Sequence, residues 1–386
     1  MKILLVEPAY YTRYPPLGLL KLAAYHRDKG DEIKLVRGCV YPTLKPDRIY
    51  VTSLFTWAWK PVWQAVAFYK KMFPQSEVWL GGLYASLMPD HAKESGADYI
   101  HIGLYDEAEN YMPAYDLVPE WDGSIIFASR GCNRSCPYCC VWRIEGKINN
   151  LKWSIKNLVY PKHTRVILWD NNILQAPNWR TIFDELVELS QTKGLKIDFN
   201  QGLDARLITD EVVEKLASMK LLCIRLAYDR RNNGKFVERA ITKITSYGIR
   251  GRKIFVYLLY NFEDDPEDFF LRLRDIINWG AVAFPMRYQP LNALEKDVYI
   301  APKWKKENIE KLEKFRRIVG FAGTFPPYHW LKDKLNKASS FDEAFEPPPK
   351  IGHSKPLKRA HVSYFAAWKK EPYWRNVVKQ FLAKHW

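Results

Sequence analysis

Apolar and polar positions along the chain follow two rhythms. Short apolar runs such as "KILLVEP" and "RIYVTSLF" read as buried strands. Segments such as "LGLLKLAAYHRDKG" and "PVWQAVAFYKKMF" carry the 3.6-residue period of amphipathic helices. Over the first hundred residues the order is strand, a helix ending at Gly30, the strands "IKLVRG" and "RIYVTSLF", and a helix with Pro61 near its start. The strands "EVWLGG" and "YIHIG" follow. This alternation predicts βαβ units, and hence an α/β, doubly wound Rossmann-like domain with helices on both faces of a parallel sheet. The stretch "ENYMPAYDLVPEWDG", with two prolines and no period, reads as the linker leading out of it.

A second alternation begins at residue 123. Its strands are "SIIFASR", "RVILWD", "KIDFNQ", "CIRLAYD", "IFVYLLY" and "AVAFPMRY". Its helices are "LKWSIKNLVY", "WRTIFDELVELSQTKG", "TDEVVEKLASMK", "GKFVERAITKITSYG" and "PEDFFLRLRDIINWG". Asp265 before Pro266 supplies an N-cap and a first-turn proline, and Gly248 and Gly280 sit at helix stops. Six such repeats fit a partial (β/α)6 barrel, short of the eight of a closed one. From about residue 301 the pattern turns helical and Lys-rich ("KENIEKLEKFRRIVG"), is broken by "EPPPK", and closes on "WRNVVKQFLAKHW". The expected domains are therefore 1–115, 123–295 and 296–386.

Charge adds a partner class. Lys and Arg number 59 against 43 Asp and Glu, a formal net charge of +16. That excess favours an anionic partner such as nucleic acid or a phosphorylated substrate, with a solvated Lys-rich surface as the plain alternative. Residues 351–386 set eight Lys and Arg side chains against Glu371 alone, and hold Trp368, Trp374 and Trp386. No run of 18 uncharged apolar residues occurs, so no membrane span is expected. The start "MKILLVEPAYY" lacks the regions of a signal peptide, and a cytoplasmic, reducing setting follows.

In that setting clustered cysteines read as metal ligands or redox groups before disulfides. "ASRGCNRSCPYCCVWR" holds Cys132, Cys136, Cys139 and Cys140, while Cys39 and Cys223 lie apart. Thiolates are soft ligands for zinc or iron–sulfur clusters. A structural zinc site draws four protein ligands, often from two separated pairs, and no second pair exists here. Three thiolates from one loop suit a four-iron cluster with one iron left open. Zinc or a disulfide pair is the alternative, and Cys140 is read as a bystander.

The spacing C-x3-C-x2-C, the aromatic Tyr138 before the third cysteine, and a loop following the first barrel strand resemble the radical S-adenosylmethionine (SAM) superfamily. The resemblance covers residues 1 to about 295. It implies that Cys132, Cys136 and Cys139 hold a [4Fe-4S] cluster whose open iron binds SAM. It also implies a flavodoxin- or ferredoxin-type reductant. Cofactor-binding roles then fall on polar residues at the strand ends. These are Asn171 and Asn172 in "WDNNIL", Gln201 and Asp204 in "FNQGLDARL", Arg225 as a partner of the SAM carboxylate, and Tyr257 beside adenine.

"YPPLGLLKLAAYHRDKGDEIKLV", with Ser53 in "VTSLFTW" and Gly81-Gly82 in "WLGGLYASLMPD", is similar to the cobalamin-binding domain of one radical SAM subclass. The Asp-x-His-x-x-Gly signature that supplies an axial histidine is absent, and His26, His91 and His101 lie in other contexts. Two outcomes stay open: a domain that holds cobalamin without that histidine, or a relic that keeps the fold and binds nothing. With cobalamin, the resemblance implies radical methylation of an unactivated carbon. Without it, rearrangement, cyclisation or modification of an RNA nucleoside is implied. The substrate is a small molecule or RNA. A non-enzymatic alternative is an iron–sulfur nucleic-acid-binding protein.

Overall fold

A computed structural model of the chain describes residues 1–346. The basic, Trp-bearing stretch 351–386 and the helix expected at "WRNVVKQFLAKHW" lie outside the described residues. Among the described residues the chain is mixed α/β and its sheets are parallel. It divides into two compact units. The first comprises residues 1–201, 218–220 and 289–299, and the second the remainder.

In the first unit, β1 (Lys2–Glu7), α1 (Leu17–Asp28), β2 (Glu32–Arg37), β3 (Arg48–Ser53), α2 (Trp59–Met72) and β4 (Glu77–Gly82) run in order. The short helices α3 (Leu83–Leu87) and α4 (Pro89–Lys93) and the strand β5 (Tyr99–Ile100) follow. The sheet order is β2-β1-β3-β4-β5. Side chains alternate across a strand, so β1 feeds two cores. Leu4 and Val6 pack with Val62, Ala65, Val66 and Tyr69 of α2, whose spacing puts them on one helical face. Ile3 and Leu5 pack on the other side with Leu19, Leu22 and Ala23 of α1. Each such buried Leu, Ile or Val contributes roughly 1.5–3 kcal/mol, so the two helices fix the sheet from both faces.

The first unit continues with β6 (Gly123–Ile126), α5 (Val141–Ile144), β7 (Arg165–Leu168), α6 (Trp179–Thr192) and β8 (Lys196–Phe199), the strands forming a sheet in the order β6-β7-β8. Two expectations are corrected here. "ENYMPAYDLVPEWDG" is not a free linker but a packed wedge: Glu109 and Tyr115 are buried, and the Tyr115 hydroxyl accepts the Ile125 N–H at 2.7 Å. "LKWSIKNLVY" forms no α-helix, only a 3-10 turn at Lys156–Leu158. Its start is drawn into pairing with the end of the first strand. Asn149 and Arg130 exchange both backbone bonds, and the Lys152 N–H donates to the Ala128 carbonyl.

The second unit holds α7 (Asp210–Ala217), β9 (Ile224–Ala227), α8 (Gly234–Ser246), β10 (Ile254–Tyr260), α9 (Pro266–Asn278) and β11 (Val282–Arg287). The helices α10 (Lys306–Val319), α11 (His329–Lys337) and α12 (Phe341–Ala344) follow among the described residues. Its sheet order is β11-β10-β9. Asp265 caps α9 by accepting from the Asp268 N–H, with Pro266 in the first turn, and Gly248 and Gly280 take left-handed φ of 83° and 79° at helix stops. Among the described residues, no helix is long and apolar enough to cross a membrane.

Candidate metal centre

The cysteine loop leaves the carboxyl end of β6. Its stem is fixed by Asp170, which follows β7 and is fully buried. Asp170 accepts the N–H groups of Ala128 at 3.0 Å and Ser129 at 2.6 Å, and the Ser129 hydroxyl at 2.7 Å. Burial outweighs these donors and pushes its pKa up to about 6. Gly131 then turns the chain at a φ of 76°, so tightly that a Cβ would collide with the Lys147 carbonyl. The Cys132 N–H donates to the Gly146 carbonyl at 3.1 Å, and the Cys139 N–H to the Cys136 carbonyl at 3.0 Å. The loop thus closes on itself between Gly131 and Gly146.

The four thiols are free and only partly exposed. Burial pushes the Cys139 thiol up to about 11, and the sulfurs of Cys140, Cys136 and Cys132 push the same way. The Cys132 sulfur accepts the Arg134 N–H at 3.4 Å and the Asn172 side-chain amide at 3.8 Å. Hydrogen bonds of this kind stabilise a thiolate on a cluster. Among the described residues no three His, Cys, Asp or Glu side chains converge around a single ion. A four-iron cube does not require that convergence, because each thiolate takes a different corner. The donor set, three soft sulfurs from one loop with amide donors on one of them, fits an iron–sulfur cluster.

Of the other expected residues in the first unit, Tyr138 sits half-buried on the same loop and Gln201 is exposed in the turn after β8. Asn171 donates to Glu145 at 3.0 Å and Asn172 reaches Cys132, so the end of β7 and the cysteine loop are joined. In the second unit, Arg225 and Tyr257 are hydrogen-bonded to each other in the interior. Asp204 is occupied at home, accepting from the Arg206 backbone at 3.2 Å and from its guanidinium at 2.9 and 2.5 Å.

Ser53, Gly81 and Gly82 come together at the carboxyl ends of β3 and β4, but they serve one another. The Ser53 hydroxyl donates to the Gly81 carbonyl at 2.7 Å and accepts the Ala85 N–H at 3.2 Å. Gly82 has a φ of 103°, and a Cβ there would collide with the Ser53 carbonyl. Strand order 2-1-3-4-5 puts the ligand crevice of such a sheet between the loops after β1 and β3. Both loops are engaged by the chain itself. After β1, Tyr14 donates to Asn200 at 2.6 Å and packs edge-on against Trp169. After β3, Thr56 and Trp59 donate to the carbonyls of Ala293 and Leu294 at 2.6 and 3.2 Å. His26 is buried against Asp31 and Tyr50, and His91 bonds Tyr84. The Ser53 hydroxyl and the named residues of both loops are thus bonded within the chain.

Sequence reading missed Arg130, Glu109 and Glu145, which bracket the cysteine loop. Arg130 is buried between the two carboxylates. Burial alone would raise Glu109, but Arg130 and Lys21 outweigh it and hold its carboxyl below the ordinary value. Burial depresses Lys21 itself to about 8. With Arg130 bonded to both of its oxygens and Lys21 to one, Glu109 stays ionised. Glu145, an acid just past a cysteine loop, was the one legible signal. No protein-family model matches the chain, and no curated protein matches it.

Proposed function

We propose that the chain is a radical SAM enzyme whose cluster is held by Cys132, Cys136 and Cys139. The observation that carries the reading is one loop, at the carboxyl end of a parallel strand, bearing three partly exposed thiols whose first sulfur already accepts two N–H donors. The strand that the loop leaves belongs to a three-stranded parallel sheet, β6-β7-β8. When bound and reduced, a four-iron cluster with an open corner supplies the electron that splits SAM into methionine and a 5′-deoxyadenosyl radical.

The chain's own contribution is positional. Asp170 ties the loop stem, Gly131 sets the turn, and Asn172 and the Arg134 amide place donors on Cys132. Buried Arg225, paired with Tyr257, is a cation suited to a carboxylate. Cobalamin-dependent methylation of an unactivated carbon stays as one reading; the Ser53 hydroxyl is bonded to the Gly81 carbonyl, and residues of both crevice loops bond elsewhere in the chain. The reading these bonds favour is rearrangement, cyclisation or nucleoside modification of a small-molecule or RNA substrate, with electrons from a flavodoxin- or ferredoxin-type donor.

The test is anaerobic reconstitution with iron and sulfide, followed by dithionite and SAM. A brown chromophore and release of 5′-deoxyadenosine are expected, and a reconstituted cluster that leaves SAM intact would end the proposal. Hydroxocobalamin added in parallel should wash out on desalting. Stoichiometric retention of the red cofactor would favour the methylation reading.

A further inference from the structure

Arg130 lies two residues before Cys132, and its guanidinium spans two carboxylates. Nη2 donates to both oxygens of Glu109, at 2.6 and 2.7 Å, and Nε adds a third bond at 3.2 Å. Nη1 donates to Glu145 at 3.3 Å. The other oxygen of Glu145 accepts the Gly131 N–H at 2.8 Å and the Asn171 amide at 3.0 Å. Behind Glu109, the Lys21 ammonium is ion-paired with its carboxylate and donates to its carbonyl at 2.9 Å. A continuous run of contacts therefore leads from α1, through the wedge, to the backbone of the cysteine loop.

The chemistry of this run is specific. A planar guanidinium can fork onto one carboxylate and still reach a second, which an ammonium cannot. Arg130 also lies over the Phe127 ring, 3.3 Å from its centroid, so its plane is held from below. Lys152 is the third cation here. Its ammonium is buried, has no hydrogen-bond partner among the described residues, and feels the charges of Glu109, Arg130 and Asp170. Glu109 is thus the carboxylate on which two cations close directly and a third bears. Withdrawing it leaves Arg130 without an anchor on the side away from the loop.

We infer that Glu109 is a positioning residue for the cysteine loop, acting through Arg130 and Glu145 on the turn at Gly131. The inference deepens the proposed function by making the wedge before β6 part of the cluster site. Neither Glu109 nor Lys21 touches a thiol, so neither is a ligand or a catalytic residue.

Two charge-keeping variants test it on the iron-free chain by amide hydrogen exchange. Glu109→Asp draws the carboxylate back by one methylene, and Arg130→Lys removes the fork. Both should speed exchange at Gly131 and Cys132 at least tenfold while the amides of β1 to β4 exchange as in wild type. Lys21→Met should leave Gly131 and Cys132 within threefold of wild type. After reconstitution, both variants should keep the wild-type iron content but shift the g-values of the reduced cluster's electron paramagnetic resonance signal. Unchanged exchange at Gly131 and Cys132 in both variants overturns the inference. So does unfolding of both, since a charge-keeping change should release only the loop. Faster exchange with an unaltered resonance signal would reduce Glu109 to a fold contact and also overturn it. The exchange is read without iron, so failure of the chain to assemble a cluster would count against the proposed function and leave this result standing.

Discussion

Asn172, two residues past the buried Asp170, donates its side-chain amide to the sulfur of Cys132 at 3.8 Å. The end of one strand therefore reaches the first thiol of the loop that leaves the neighbouring strand. An N–H aimed at a thiolate favours the more negative state of whatever the thiolate binds. Asn172→Ala should lower the midpoint potential of the reconstituted cluster. A lost hydrogen bond of about 1–1.5 kcal/mol corresponds to roughly 45–65 mV for one electron. Redox titration checks this, and an unchanged or raised potential would remove Asn172 from the site.

The cysteines divide three against one. Cys132→Ala, Cys136→Ala and Cys139→Ala should each abolish the cluster and the 5′-deoxyadenosine. Cys140, whose carbonyl starts α5 by accepting from Arg143 and Ile144, should tolerate Ala with full iron content. Iron and sulfide analysis beside product detection decides it. Equal loss in all four variants would break the ligand assignment.

Gly82 couples a left-handed φ of 103° to a close approach of the Ser53 backbone. Gly82→Ala adds both strain and a collision with a carbonyl that cannot rotate away. The expected cost is on the order of 2–4 kcal/mol, read as a lowered midpoint in urea. A change below about 0.5 kcal/mol would show that the β3–β4 contact is looser than described.

Asp170 makes stability depend on pH in an unusual direction. Its pKa is about 6 when folded, against about 3.9 for an unfolded aspartate. Between those values the folded chain holds a proton that the unfolded chain has released. Stability from this group is therefore full below about pH 4 and falls as pH rises through 6, by at most about 3 kcal/mol. Asp170→Asn cannot ionise, so the stability difference between wild type and variant should shrink from pH 4 to pH 7. A difference that grows over that range would mean that the three donors, not burial, govern the carboxylate.

Much of the first sheet was legible because each strand carries its own apolar run and each helix its own stripe. Val62, Ala65, Val66 and Tyr69 announce α2 without reference to anything distant. The segment 151–160 was misread because its apolar spacing suits a helix while a remote partner, the Ala128 carbonyl, claims its backbone. The thiols were legible from spacing alone. Their support was not: Glu109 sat in a stretch without period, and Lys21 looked like an ordinary helical lysine. An ion pair formed across 88 residues leaves no local pattern. Ser53 and the two glycines were visible as special positions, yet sequence could not tell a ligand's approach from that of a neighbouring backbone.

The return of residues 289–299 to Thr56 and Trp59 has a consequence for biosynthesis. The polypeptide departs the first unit at Gln201, touches it again at residues 218–220, builds about half of the second, and only then delivers the carbonyls of Ala293 and Leu294. A ribosome-bound chain stopped before Ala293 must leave the Thr56 hydroxyl and the Trp59 indole to water. The amino-terminal half is therefore sealed by a late-arriving stitch, and its maturation waits on translation of the half that follows.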